Sequence, residues 1–305
     1  MADTPAERGS TRLAFAALIV ANIALAFGPW FVRLADTGPV AAGFWRVALA
    51  TPVLLAMALR GGWRPIGLGT GVWWMVGVAG VSFAADLASW HLGILRTTLA
   101  NATLFGNSAT LIYPLYGFLI ARAWPSRLQG LALLLAAIGA GLLMGQSYSL
   151  HPRNLIGDLL CLLAGILYTL YFICMARARD TMAPLPALAL SSLAGVVPLL
   201  VFALVLGERV WPGTWTPLIG LALCSQLIGQ GLMIYALGQL SPLVVGLALL
   251  TQPVVAAAIG WSVYDERLGA TDLLGAALVA VALVLVRRRT QVARADPGSK
   301  VLAKD

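Results

Sequence analysis

Trp90-His91-Leu92-Gly93-Ile94-Leu95 comes back as Tyr235-Ala236-Leu237-Gly238-Gln239-Leu240, 145 positions further on. Leu92, Gly93 and Leu95 meet identical residues at that shift, Gly130 meets Gly275, and Asn107 meets Gln252. The chain reads as one unit of 145 residues written twice. That unit is strongly apolar. Of 305 residues 60% are hydrophobic and 10% charged, and mean hydropathy is +0.89. A soluble domain carries about 25% charged residues. Too few charges are present to clothe a surface in water, and enough apolar side chains to face lipid. Membrane carriers are commonly built from two such repeats, with the solute held between them.

A helix needs about 20 apolar residues to cross a bilayer. Ten runs qualify: 13–34, 39–59, 71–92, 96–120, 126–146, 155–176, 184–206, 215–237, 241–262 and 268–286. The connections hold the punctuation: Gly61-Gly62, Trp124-Pro125, His151-Pro152, Trp211-Pro212 and Ser241-Pro242. The expected architecture is an all-α integral membrane protein, ten transmembrane helices forming two inverted five-helix repeats. An amino-terminal tail covers 1–12, the first repeat 13–146, a linker 147–154, the second repeat 155–287 and a carboxy-terminal tail 288–305. Residues 1–12 and 290–305 are polar enough to be disordered. The run 13–34 is too long for a signal-peptide core and reads as a retained span.

Ten spans put both termini on one side. Fourteen basic residues fall on that side, in the tails and around Arg60, Arg64, Arg122, Arg127, Arg177 and Arg179. Five fall on the other: Arg33, Arg96, Arg153, Arg209 and Arg267. The excess marks the cytoplasm, so a multi-pass protein of a bacterial inner membrane is expected, with both termini inside. Five spans is an odd number, so the second repeat enters from the opposite face, related to the first by a pseudo-two-fold axis in the membrane plane. Halves so related can rock about a central site and open it to each face in turn.

Polar side chains inside hydrocarbon are costly, so their positions carry information. At about 1.5 Å per residue, Asn22, Asn107, Gln226 and Gln252 lie roughly 14–16 Å deep, near the midplane. Four uncharged amides at one depth suit a neutral or zwitterionic solute; the alternative is packing glue between helices. Trp90, Tyr168, Tyr171 and Gln230 extend the candidate substrate-binding set. Trp90 follows Asp86 by four residues, Tyr168 and Tyr171 are three apart, and Gln226 and Gln230 four apart, each pair on one helix face. Arg46 and Asp86 are the charges inside spans, both roughly 9–10 Å below the outer surface. Equal depth in consecutive helices predicts an ion pair between them, either a fixed bridge or an outer gate or coupling site. Asp86 is placed to carry a proton, Arg46 to receive a carboxylate. His91 has an ordinary pKa near 6.5 and is a second candidate for proton coupling, or an interfacial hydrogen-bonder. Pro114 and Pro253 interrupt spans 4 and 9. They read as hinges or as fixed kinks. Trp30, Trp73, Trp74, Trp211 and Trp215 lie near span ends and read as interface anchors.

Other function classes lack their residues. Lysine occurs only at 300 and 304, so a phosphate-binding G-x-x-x-x-G-K-[ST] loop is impossible. There is no H-E-x-x-H and no G-x-S-x-G. Cys161, Cys174 and Cys224 lie in apolar runs without paired spacing. Neither metal nor cofactor is expected. The net charge of +8 sits in loops and tail, with no basic helix or aromatic-basic platform for nucleic acid. The glycines of Gly141-x-x-x-Gly145 are a weak helix-contact motif.

Thr251-Gln252-Pro253-Val254-Val255-Ala256-Ala257-Ala258-Ile259-Gly260, then Asp265-Glu266-Arg267-Leu268 and Gly275, resembles the carboxy-terminal repeat of the EamA family of the drug/metabolite transporter superfamily. The first half carries a looser version in Thr98, Ala100-Asn101-Ala102, Asn107, Pro114 and Gly130, with Ala121-Arg122-Ala123 where the acidic residue is expected. Within that family the chain is most similar to amino-acid exporters of the YddG type. The resemblance implies an inner-membrane permease, monomer or homodimer, whose partners are lipid, a small solute and, in one version, protons. Export of small organic metabolites, amino acids first, is the expected function. Export of cationic or aromatic drug-like compounds is the second reading, and a membrane enzyme or non-transporting scaffold the third.

Overall fold

The computed structural model describes residues 5–94, 96–97, 105–144, 154–264 and 269–295. Among them every regular element is helical. The helices are α1 (Pro5–Ala26), α2 (Gly28–Leu34), α3 (Pro39–Arg60), α4 (Thr70–Ile94), α5 (Ala109–Ala121), α6 (Arg127–Met144), α7 (Leu155–Ala178), α8 (Pro184–Val205), α9 (Thr216–Leu221), a π-helical segment (Ala222–Gln230), α10 (Gly231–Leu237), α11 (Pro242–Ala248), α12 (Thr251–Tyr264) and α13 (Ala270–Ala295). Six stretches are long and apolar enough to cross a membrane: Thr11–Leu34, Pro39–Arg60, Thr70–Gly93, Leu155–Ala178, Pro184–Val205 and Thr216–Leu237. Shorter apolar helices at Ala109–Ala121, Arg127–Leu142, Pro242–Val255 and Leu273–Leu285 occupy the other four expected segments. A helix bonds its own backbone groups internally, which hydrocarbon requires. The chain is a multi-pass membrane protein.

Proline opens many of these helices. It stands in the first turn of α2, α3, α8, α9 and α11, where its missing N–H leaves no bond unmade. Pro29 ends the straight run of the first segment, which turns at Phe27 and resumes as α2. The ninth segment turns at Leu249-Leu250 and restarts as α12. Pro253 is the third residue of that new helix, a first-turn proline and not the mid-span kink expected from sequence. Pro114 does lie inside α5. The eighth segment departs from a simple α-helix: nine residues, Ala222–Gln230, widen to π geometry.

Helix runs into both expected tails. The chain is helical from Pro5, and α13 runs on to Ala295, because Ala, Glu, Arg and Gln continue a helix readily once a span has nucleated it. Thr98, Ala100-Asn101-Ala102, Gly145, most of the linker and the Asp265-Glu266-Arg267-Leu268 motif lie outside the described residues.

The most extensive helix contacts are α4 with α7, α6 with α13, α3 with α8 and α4 with α8. Helix α5 packs on α11, and α1 packs on the π segment, α10 and α12. Small residues permit the closest of these approaches. A Cβ on Gly195 of α8 would stand 3.0 Å from the Gly80 carbonyl oxygen of α4. A Cβ on Gly139 of α6 would stand 2.8 Å from the Gly275 carbonyl oxygen of α13.

Candidate functional site

Helices α3, α4, α7, α8 and the π segment converge on one polar cluster. Arg46 of α3 is 9% exposed. Its Nε donates to Gln226 Oε1 at 3.0 Å, and its Nη2 reaches the Ser225 carbonyl at 3.4 Å. The guanidinium lies over the Phe83 ring, 5.3 Å from its centre. Gln226 Nε2 donates to Ser192 Oγ of α8 at 3.0 Å. One turn along the π segment, Gln230 Oε1 accepts from Tyr171 Oη at 3.3 Å, while Gln230 Nε2 donates to Tyr168 Oη at 3.2 Å. Phe83 stacks on Tyr171 at 4.9 Å, and the two tyrosine rings stack at 5.9 Å. Gln226 and Gln230 are buried, so each needs these bonds. A π turn takes one more residue than an α turn, and such segments gather at functional sites. Here the widened turn aims both glutamines, four apart, at partners on three other helices.

The expected Arg46–Asp86 ion pair is absent. Among the described residues Asp86 makes neither a salt bridge nor a hydrogen bond, and Arg46 is held by the Gln226 amide and a backbone carbonyl. A depth estimate carries no information about which way a side chain turns about its helix, and the long arginine stem reaches across to the π segment. Asp86 follows Phe83, on which the guanidinium lies, by three residues on α4, so both charges belong to one region of the bundle.

The four amides divide. Gln252 Nε2 donates to Asn22 Oδ1 at 2.9 Å, and Asn22 Nδ2 donates to its own helix at Leu18, so α1 and α12 are joined by an amide pair. Gln226 belongs to the Arg46 cluster. Asn107 forms a turn ahead of α5, its carbonyl accepting from Thr110 N–H at 2.9 Å. Trp90 and His91 are adjacent, ring centres 5.1 Å apart. A Cβ on Gly106 would fall 2.8 Å from Trp90 Nε1, so the indole rests on the chain just before the Asn107 turn. His91 of α4 is buried beside Gly43 of α3, and its Nδ1 has no hydrogen-bond partner among the described residues. Pro114 seats its ring against Gly246 of α11.

A second constellation was not expected. The loop after α8 folds over the start of α3. Glu208 caps that helix, accepting from the N–H groups of Val40 at 3.3 Å and Ala41 at 2.7 Å, where the helix dipole favours a carboxylate. Asp36 accepts from Gly213 N–H at 2.8 Å and pairs with Arg209 at 3.5 Å. Gly38 N–H donates to the Arg209 carbonyl at 3.0 Å. Trp45 Nε1 donates to the Val210 carbonyl at 2.7 Å, and its ring packs against Trp215 at 4.8 Å and Trp211 at 5.4 Å. The Gly213 N–H, with Arg209 adding its charge, holds the Asp36 carboxyl below the usual carboxylate range. This clasp joins the two halves of the chain, and Trp45 stands next to Arg46 on α3. Its signal in the sequence was slight: acids in short loops of a chain with only 12 acidic residues.

Comparison with known proteins agrees with a membrane carrier. Residues 155–288 match the EamA-like transporter family. An "Uncharacterized transporter" of Archaeoglobus fulgidus is 27% identical over 143 residues, 46% of this chain and 48% of that protein. The chain thus matches about half the length of this curated relative. A solved crystal structure shares the fold at TM-score 0.74 and 16% identity, covering 93% of this chain and 99% of that one.

Proposed function

We propose that the chain is a secondary carrier of the bacterial inner membrane. It exports small organic metabolites, amino acids first, by alternating access through a centre between two inverted five-helix repeats. The observation that carries this reading is the buried cluster of Arg46, Tyr168, Tyr171, Gln226 and Gln230, which ties the first half to the second inside the apolar bundle. Three further observations support it. The family match, 155–288, coincides with the expected second repeat, 155–287. The most extensive helix contacts map onto themselves when the first five segments are exchanged with the last five: α4 with α7 becomes the π segment and α10 with α1, while α3–α8, α6–α13 and α5–α11 return unchanged. Turns at Asn107-Ser108 and Leu249-Leu250 interrupt the two segments paired by that exchange, and broken helices commonly form solute sites.

The clasp supports alternation in particular. Exchange of the halves carries it onto residues 61–69 and the start of α8. No hydrogen bond among the described residues joins those two. At the 145-position shift Glu208 falls on Trp63, so the cap has no acidic counterpart. In this reading the protein is closed on the clasp face, the outer one by the distribution of arginine and lysine, with both termini in the cytoplasm. No enzymatic step is assigned.

Export of cationic or aromatic drug-like compounds is the second reading, favoured by Asp86, unbonded among the described residues, on the same helix as Phe83, which packs against Tyr168 and Tyr171. Efflux from proteoliposomes loaded with mixed radiolabelled amino acids, with and without a pH gradient, tests both. Release without the gradient supports a uniport exporter, and release only with it supports proton coupling through Asp86 or His91. Release of organic cations alone, abolished in Asp86→Asn, supports the second reading. Release of neither overturns transport. Gln252→Leu and Asn107→Leu are expected to lose efflux while eluting as monodisperse protein; unchanged transport in both removes the amides from the site.

A further inference from the structure

We infer that Arg46 and Asp86 are the two poles of a site for a zwitterionic solute, the guanidinium taking its carboxylate and the Asp86 carboxylate its ammonium group. The inference rests on the transport reading and deepens it. An arginine has five N–H donors. Arg46 gives one to an amide oxygen and one, at 3.4 Å, to a backbone carbonyl, and lays its face on Phe83. Every one of these partners is neutral. A charge buried to this degree ordinarily touches an anion, because desolvation is otherwise uncompensated. The anion within reach by sequence, Asp86, makes no salt bridge to it and accepts no hydrogen bond among the described residues. It is also less deeply buried than Arg46. Two opposite charges in one cluster, each with free bonding capacity and apart from the other, are what a solute carrying both signs would bridge.

The surroundings fix the rest of the molecule's chemistry. Phe83, Tyr168 and Tyr171 form an aromatic wall beside the guanidinium, and Trp90 lies one turn beyond Asp86. The tyrosine hydroxyls are engaged by Gln230; Phe83 and Tyr171 are buried in the ring stack, and Tyr168 keeps part of its surface open. An apolar or aromatic side chain suits that wall. A simple cation would satisfy Asp86 and leave Arg46 uncompensated; a simple anion would do the reverse.

The test is counterflow of radiolabelled L-leucine into proteoliposomes holding the full chain, with calorimetric binding in detergent as a second readout. In the wild-type protein, isopentylamine and 4-methylpentanoate, leucine without its carboxylate or its ammonium group, should each compete at least tenfold more weakly than leucine. If either competes equally, the two-pole site is wrong. Arg46→Gln and Asp86→Asn should each lose at least tenfold in leucine binding, and Arg46→Lys should recover part of the loss. Wild-type binding in either neutral variant overturns the inference, as does loss in Arg46→Gln that lysine does not relieve. Should the wild-type protein exchange no solute, the transport reading fails, whereas leucine binding that depends on both charges still upholds the site. Exchange of other solutes without leucine binding sinks the inference alone.

Discussion

Gln226 does two jobs with one amide: its oxygen receives Arg46 and its nitrogen reaches Ser192. Gln226→Leu leaves both unmatched in a buried place, a loss of about 1–3 kcal/mol and more where the partner is charged. Gln226→Glu is more informative. It sets a carboxylate where the amide oxygen sits, 3.0 Å from the guanidinium nitrogen, and so gives Arg46 the anion it lacks. The expected outcome is a melting temperature no lower than that of Gln226→Leu, together with loss of L-leucine counterflow, because the solute must now displace a built-in carboxylate. Wild-type counterflow in this variant would show that the guanidinium plays no part in binding the solute.

The α4–α8 contact has little room. A Cβ on Gly80 would run into the Ser191 carbonyl oxygen and stand 2.7 Å from the Ala194 Cβ. Backbone cannot yield as a side-chain tip does, so Gly80→Ala must push the two helices apart, at a cost of about 1–3 kcal/mol typical of overpacking. A lowered melting temperature, followed by tryptophan fluorescence, is expected; an unchanged one would mean the helices shift freely there. The clasp makes a prediction in pH. The Asp36 carboxyl is held below its ordinary value of about 3.9, chiefly by the Gly213 N–H. A carboxylate with a lowered folded pKa contributes its stability above the unfolded pKa and loses it as pH falls through the folded one. The difference in melting temperature between wild-type protein and Asp36→Asn should therefore be constant from pH 7 down to about 5 and vanish below the carboxylate range. A difference that persists at pH 3 would assign the effect to something other than this charge.

Across the whole molecule, the proposed alternating-access cycle requires the clasp to break. A Cβ on Gly38 would stand 2.5 Å from the Glu208 Cβ, and a disulfide needs about 3.8 Å between such atoms, so a small adjustment admits one. Gly38→Cys with Glu208→Cys, in a background with Cys161, Cys174 and Cys224 replaced by serine, should lose transport on oxidation and regain it on reduction. Transport that continues with the bridge formed would mean that the clasp face does not open in the cycle. On the proposed alternating-access reading, the helix contacts that map onto themselves, with a clasp on one face and none among the described residues of its counterpart, correspond to one half-cycle of a rocking carrier.

Segment-level properties were legible in the sequence because they belong to each stretch alone. Hydropathy over 20 residues finds a span wherever it later packs; Tyr168 and Tyr171 shared one helical face by spacing and Gln226 and Gln230 another, and the structure brings both tyrosines onto Gln230. The amide pair Asn22–Gln252 was legible only as two polar groups of equal depth. Partner choice was not legible. Arg46 and Gln226 are 180 positions apart, and their meeting depends on helix rotation and on a π turn, neither of which leaves a mark in composition. The same holds for Glu208, which finds the first turn of α3 across 168 positions. The sequence by itself determined that this chain lies in a membrane as helices, because backbone bonding in hydrocarbon allows little else. Only the tertiary structure decided that Arg46 stands apart from Asp86 and that one face is fastened, because both rest on which side chains the packing turns toward each other.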